Sequence, residues 1–360
     1  MLRVGILTSG GDAQGLNAAI RGVAKTLYET NDEIEILGYR DGFRGLMLGE
    51  YRVMEEDDFS GILTLGGTIL GTSRQSFKEV DDLLFEDGEE TKCEAMVRNY
   101  KMQDLDCLVI LGGNGSHKTA NRLREEGLNV VTLPKTIDKD IYGTEMTFGF
   151  QSAVNIATDV IDGIHTTATS HGRIFIIELM GNRAGWLTLH AGIAGGADII
   201  LIPEIKYDLN SVLHALKERS RKGKRFSIIA MAEGSKSVED DKLSKKEYED
   251  MMKEKGYPSS AYKLAAELDM MMEQEVRVTV PGHYQRGGSP CPFDRVFASE
   301  CGTHAAELIN AKKFGRAVVQ INNEMSDLPL EEVAGKKNLV SLDNELVRSA
   351  REMGISFGDE

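Results

Sequence analysis

Short runs of apolar and β-branched residues recur along the chain at 2–7, 34–37, 107–111, 129–133, 173–178, 198–202, 227–232, 276–280 and 316–321. Most are continuously apolar over about five residues, the pattern of a strand covered by helices on both faces. Between them, apolar positions return at helical spacing over 16–28, 116–126, 152–165, 209–221 and 261–272. This alternation predicts an α/β chain built on mostly parallel sheets flanked by helices. Two stretches break it. Residues 79–90 and 235–255 are rich in charge and poor in apolar residues, and read as surface excursions. No short internal repeat or low-complexity tract interrupts the series.

The length of 360 residues predicts two domains, each able to bury a core. Boundaries are expected near 141–143 and, on a return crossing, near 287–288. The expected organisation is 1–142 with about 288–330 as one domain, 143–287 as the second, and 331–360 as a C-terminal segment packing on the subunit. A formal net charge of −15 argues against nonspecific nucleic-acid binding, which needs a basic surface to release counterions. No apolar run approaches the roughly 18–20 residues of a membrane span, and the start MLRVGILTSGG has no signal-peptide pattern, so a cytoplasmic chain without membrane or nucleic-acid partners is expected. Cys93, Cys107, Cys291 and Cys301 are scattered, without CxxC or zinc spacing, and are expected to be inert thiols.

The first predicted strand runs into Thr8-Ser9-Gly10-Gly11-Asp12-Ala13-Gln14-Gly15 and then into a helix. Such a turn lets backbone N–H groups approach an anion at a helix N-terminus. It matches neither the Walker nor the dinucleotide pattern. The run 107–111 feeds a second such turn, Gly112-Gly113-Asn114-Gly115-Ser116, and a third lies at Gly66-Gly67-Thr68-Ile69-Leu70-Gly71-Thr72-Ser73-Arg74. Ligands of doubly wound sheets bind at the carboxyl ends of strands, so the turns are expected to converge on one polyphosphate.

After 129–133 comes Pro134-Lys135-Thr136-Ile137-Asp138-Lys139-Asp140-Ile141, two carboxylates two residues apart at a strand end, with Lys135 just before them. Phosphoryl transfer to a hydroxyl needs a cation-rich setting, Mg²⁺ and a carboxylate to take the alcohol's proton. Farther on, Arg277, His283 and Arg286 fall within ten residues of one another around Pro281-Gly282-His283-Tyr284-Gln285-Arg286-Gly287. Paired guanidinium groups with an imidazole suit a sugar phosphate. Arg173, after Ser170-His171-Gly172, adds another cation. His117, His165, His190 and His304 stand in no recognisable motif and read as surface or core residues.

The ordered segments TSGGDAQGLNAAIRG, GGTILGTSR, LGGNGS, PKTIDKDI, SHGRIFIIELMG, MAEG and GHYQRGGSP resemble the phosphofructokinase family over nearly the whole chain. The resemblance implies transfer of a phosphoryl group, with Mg²⁺, to the 1-hydroxyl of fructose 6-phosphate in a two-domain α/β subunit. It also implies homo-oligomers, dimers or commonly tetramers, with shared active sites. By position, Gly11, Arg74, Gln75 and Gly113, Asn114, Gly115 and Ser116 would hold the donor. Asp138 would be the general base. Thr136, Ile137, Met180, Gly181, Asn182, Glu233, His283, Tyr284, Gln285 and Arg286 would hold the sugar phosphate, while Arg173 and Arg277 would reach in from an adjacent subunit. Asp140 and Asn114 would help hold the metal, Asp140 through water.

Pyrophosphate-using members typically carry Asp where this chain has Gly115, a carboxylate that would exclude the α-phosphate of ATP. Lys135 resembles the lysine of pyrophosphate users and mixed-character members. Steric exclusion decides what enters, so the pair favours ATP. Two departures stand out: Asn114 replaces the usual Asp of the second turn, and Asn182 replaces the usual Arg after Met-Gly. They leave as alternatives a pyrophosphate-dependent enzyme, a kinase of another sugar phosphate such as sedoheptulose 7-phosphate, or a catalytically weak regulatory paralogue.

Overall fold

The structure, a computed structural model, describes residues 1–360. The chain forms two compact units, one of residues 1–152 with 286–338 and the other of 153–285 with 339–360. Each carries its own sheet.

The first unit contains β1 (Leu2–Thr8), β2 (Ile34–Tyr39), β3 (Tyr51–Met54), β4 (Cys107–Gly112), β5 (Val130–Thr136) and β6 (Phe148–Gly149). The second unit contains β7 (Ile174–Leu179), β8 (Ile199–Leu201), β9 (Ser227–Ala232) and β10 (Val276–Thr279); β11 (Arg316–Ile321) and β12 (Glu324–Pro329) return to the first. The larger sheet runs in the order β12-β11-β5-β4-β1-β2-β3, with β6 paired to β5. Its interior pairs are parallel, whereas the edge strands β3 and β12 are antiparallel to their neighbours. The smaller sheet, β10-β7-β9-β8, is parallel throughout. Every residue of β4, β5, β7 and β9 is buried, which is why those strands read as largely apolar runs, with Thr132, Lys135, Thr136, Glu178 and Ser227 as buried polar exceptions.

The mostly parallel α/β architecture agrees with the sequence reading. Three strands escaped it: β3, β6 and β12. So did the helices Phe43–Leu48, Lys92–Met102, Trp186–Ala194 and Pro292–Asn310. The charged stretch 235–255 holds helices Val238–Asp241 and Lys245–Glu254; the latter buries no residue, as befits a surface excursion. The four cysteines are free thiols, with Cys93, Cys107 and Cys301 buried.

The strand order positions chemistry in the first unit. The chain leaves β1 toward β2 on one side, and β4 lies on the other, so the order reverses between β1 and β4. Loops leaving the carboxyl ends of these two strands diverge and open a crevice. The first and second glycine turns are those two loops.

Candidate active site

The crevice is built from backbone brought close by glycine. Ser9 N–H donates to the Leu111 carbonyl at 2.9 Å, tying the first turn to β4. Gly10 N–H donates to the Ser73 carbonyl at 3.0 Å, and the Thr72 hydroxyl donates to the Gly10 carbonyl at 2.8 Å, tying in the third turn. Gly10 and Gly15 stand at φ 86° and 92°, a region costly for residues with a Cβ. In the second turn, a Cβ on Gly112 would lie 2.2 Å from the Ser116 Cβ. The three turns therefore converge as the sequence implied. Next after Ser73, Arg74 is exposed and Gln75 half-buried.

Two cations stand on this frame. Lys135, buried at the end of β5, donates from Nζ to the Gly11 carbonyl at 2.6 Å. Burial first, and then the Arg286 guanidinium, pull its pKa down to about 8 against the opposing fields of Asp138, Asp12 and Asp140. Arg286 donates to the Asp12 carbonyl at 3.0 Å, and a Cβ on Gly11 would lie 3.1 Å from its guanidinium. Arg286, expected among sugar-phosphate residues, thus lies against the first glycine turn. Around Gly115 the space is open: a Cβ there would have no neighbour within 4 Å.

The acidic loop follows β5 directly. Asp138 N–H donates to the Thr136 hydroxyl at 3.0 Å, a turn that sets the carboxylate just beyond the strand. Ile137 is fully buried and anchors the loop, and Lys139 takes φ 53°. Asp140 is buried and paired with Lys337 at 2.9 Å. Asn338 donates from its N–H to the Asp140 carbonyl at 3.0 Å and from its side chain to the Lys139 carbonyl at 3.1 Å. Asn114 donates its side-chain N–H to the Lys336 carbonyl, which leaves its amide oxygen as an acceptor. Residues 336–338 thus bind down both proposed metal-holding residues. The chain has no grouping of three or more His, Cys, Asp or Glu side chains fit for a metal. Mg²⁺ needs none, because in nucleotide sites it takes one or two protein oxygens together with phosphate and water. Asp140 and Asn114 are a donor set of that kind.

In the second unit, the carboxyl ends of β7, β9 and β10 carry Met180-Gly181-Asn182, Glu233 and the short helix Gly282–Arg286, whose last residue passes into the first unit. Gly181 and Asn182 take φ 140° and 54°, and the Asn182 N–H donates to the Glu233 carboxylate at 2.8 Å. Met180 N–H reaches the Gln285 side-chain oxygen at 3.3 Å. His283 and Tyr284 are exposed, while Gln285 is buried. Asn182, Arg183 and Glu233 open onto a cleft of about 1290 Å³ that is also lined by Lys206, Lys236 and Tyr248.

Arg173 and Arg277 lie elsewhere. Arg173 precedes β7, Arg277 is the second residue of β10, and the Glu275 carboxylate pairs with both guanidinium groups. Glu275 was not singled out from sequence, although its i, i+2 spacing from Arg277 puts the two on one face of the strand. Lys337, about 200 residues from Asp140, gave no sequence signal.

The Phosphofructokinase family profile matches residues 3–309. A relative from Spirochaeta thermophila, named ATP-dependent 6-phosphofructokinase, is 51% identical over 99% of this chain and 97% of its own length. A relative of the same name from Propionibacterium freudenreichii is 45% identical, covering 99% of this chain and all of its own. Among solved structures, Pichia pastoris phosphofructokinase aligns with TM-score 0.76 and 29% identity; the alignment covers 98% of this chain but only 36% of that longer one. The pyrophosphate-dependent phosphofructokinase of Nitrosospira multiformis shares the fold at TM-score 0.81 and 18% identity, over 98% of this chain and 92% of its own.

Proposed function

This chain belongs to the phosphofructokinase family, and we propose that it works as an ATP-dependent 6-phosphofructokinase. It transfers a phosphoryl group from ATP to the 1-hydroxyl of fructose 6-phosphate, giving fructose 1,6-bisphosphate, a step of glycolysis. The observation that carries this reading is the convergence of three glycine turns with Lys135 and Arg286 at the β1–β4 crevice. Backbone N–H groups and two cations suit a polyphosphate and little else.

The donor's phosphates would rest on Gly11 and Gly113 to Ser116, with Arg74 and Gln75 at the rim. ATP is favoured over pyrophosphate because the direction in which a side chain at position 115 would project is open. Lys135 and Arg286 would balance charge on the transferred group, which phosphoryl transfer requires more than it requires covalent help. Mg²⁺, held by Asp140 and Asn114 with water, would neutralise phosphate oxygens. Asp138 would accept the proton of the attacking hydroxyl. Thr136, Ile137, Met180, Gly181, Asn182, Glu233, His283, Tyr284, Gln285 and Arg286 would hold fructose 6-phosphate, and Arg173 and Arg277 would serve a neighbouring subunit. The working form would be a cytoplasmic homo-oligomer, a dimer or tetramer; no helix is long and apolar enough to cross a membrane.

The test is a coupled assay offering fructose 6-phosphate with ATP or with pyrophosphate. Turnover with ATP is expected, and Gly115→Asp should suppress it far more than any use of pyrophosphate. Turnover with pyrophosphate alone would overturn the donor assignment.

A further inference from the structure

The sequence left His117 without a role, but it sits one turn inside the helix Asn114–Glu125 that the second glycine turn opens. Its imidazole is buried, at 1% exposure. The Gly113 carbonyl accepts twice from this one residue, from the His117 backbone N–H at 3.1 Å and from ring Nδ1 at 2.9 Å. A carbonyl can only accept, so the ring proton is on Nδ1. Burial keeps the ring neutral, with a pKa near 4, so Nε2 carries a lone pair. Nε2 is buried and has no hydrogen-bond partner. A buried unsatisfied nitrogen is a cost that an apolar side chain of similar size would avoid. The ring's single bond to Gly113 is thus the return for that cost.

The bond acts at a particular place. Gly113 is the N-cap of the helix, and no side chain caps it. The Gly113 C=O and the Asn114 N–H belong to one trans peptide plane and point in opposite directions. Pinning the carbonyl into the helix with two donors therefore aims the Asn114 N–H outward, along the axis, where an anion would sit.

We propose that His117 is a positioning residue for the phosphate donor: its ring locks the Gly113–Asn114 peptide so that the second glycine turn presents its N–H groups to the polyphosphate. The proposal rests on the reading of that turn as the donor site. It assigns His117 no contact with the reacting atoms.

The experiment uses steady-state kinetics and calorimetric ATP binding on the full-length protein with His117→Asn, His117→Gln and His117→Leu. Asn places its amide N–H where Nδ1 stands; Gln places its own farther out, near Nε2. The Leu variant should raise the KM for ATP by about tenfold, the worth of one neutral hydrogen bond. The KM for fructose 6-phosphate should stay within twofold, and kcat should move less than the KM for ATP. Asn should recover most of the loss and Gln little of it. Equal behaviour of Asn and Gln, or a fructose 6-phosphate KM that rises with that of ATP, would overturn the proposal. If Leu fails to fold, the Asn–Gln pair decides alone. Gly115→Asp measured alongside separates the two levels. If it leaves ATP binding untouched, the donor site is misassigned; if it abolishes binding while the His117 variants do nothing, only the role of His117 falls.

Discussion

Lys135 holds a charge in a place that disfavours it. Its free-enzyme pKa of about 8 means that the ammonium is complete well below that pH and is lost as pH rises through it. A polyanion binds the charged form, so kcat/KM for ATP should fall above about pH 8, and Lys135→Met should abolish this alkaline limb while lowering the plateau. A pH–rate profile of both proteins checks it; an unchanged limb in the variant would place the titration elsewhere. For Asp138→Asn we expect kcat to fall by about 10²–10⁴, the range for losing general-base help, with KM little changed. A large rise in KM at normal kcat would make Asp138 a binding residue. At this scale the sequence showed the acids, the cations and the glycines, because each is a residue type with a chemistry. It could not show Lys337 against Asp140 or the ring of His117 against Gly113, because a pairing is a property of the fold.

The elements that sequence reading found are those whose pattern is set by one environment. Strands buried on both faces announce themselves as largely apolar runs, and the helix Leu209–Arg221 shows its amphipathic stripe from end to end. The helix Trp186–Ala194 was illegible because it is apolar nearly all round, with six of its nine residues buried, and has no stripe to read. The hairpin of β11 and β12 did leave a signal that was passed over: Asn322-Asn323 forms a two-residue turn with φ 53° and 61°, the conformation that favours Asn there. The helix Pro292–Asn310 was hidden by small residues that serve packing. It meets the helix Leu16–Thr30 at Gly22 and Gly302, where a Cβ on Gly302 would lie 2.3 Å from the Ala19 carbonyl oxygen. Backbone cannot yield as a side chain would, so Gly302→Ala should destabilise by about 1–3 kcal/mol, as overpacking does. Gly163, inside the helix Phe150–His171, has nothing within 4 Å of its would-be Cβ, and Gly163→Ala should stabilise by about 0.4–1 kcal/mol. Denaturant midpoints of the two variants should move in opposite directions; a rise in both would mean that helix propensity outweighs the contact at Gly302, and a fall in both that position 163 does not tolerate a Cβ.

At the scale of the whole molecule, the position of two arginines bears on how many chains make one active site. Met180 and Gly181 follow the carboxyl end of β7, whereas Arg173 precedes its amino end, and Arg277 sits near the amino end of the adjacent strand β10. At about 3.3 Å per residue, the strand separates the two sets by roughly 20 Å, more than one sugar phosphate can bridge. A single chain therefore cannot bring Arg173 and Met180 to the same ligand, and Glu275 holds the two guanidinium groups together as a grip complete in itself. If that grip serves a neighbouring copy, a chain carrying Asp138→Asn and a chain carrying Arg173→Ala each supply what the other lacks. In mixed oligomers, some sites then combine an intact Asp138 from one copy with an intact Arg173 from the other, while others collect both defects. Random pairing of equal amounts gives about a quarter of sites intact over all oligomers and, once the parental oligomers are removed, about half in dimers or somewhat over a quarter in tetramers. Co-expressed with different tags and purified through both, the hybrids should recover activity toward that latter fraction, against near-inactive parents. Doubly tagged oligomers no more active than either parent would mean that the two residues never meet at one sugar, and the arginines would have to be given to a ligand other than fructose 6-phosphate.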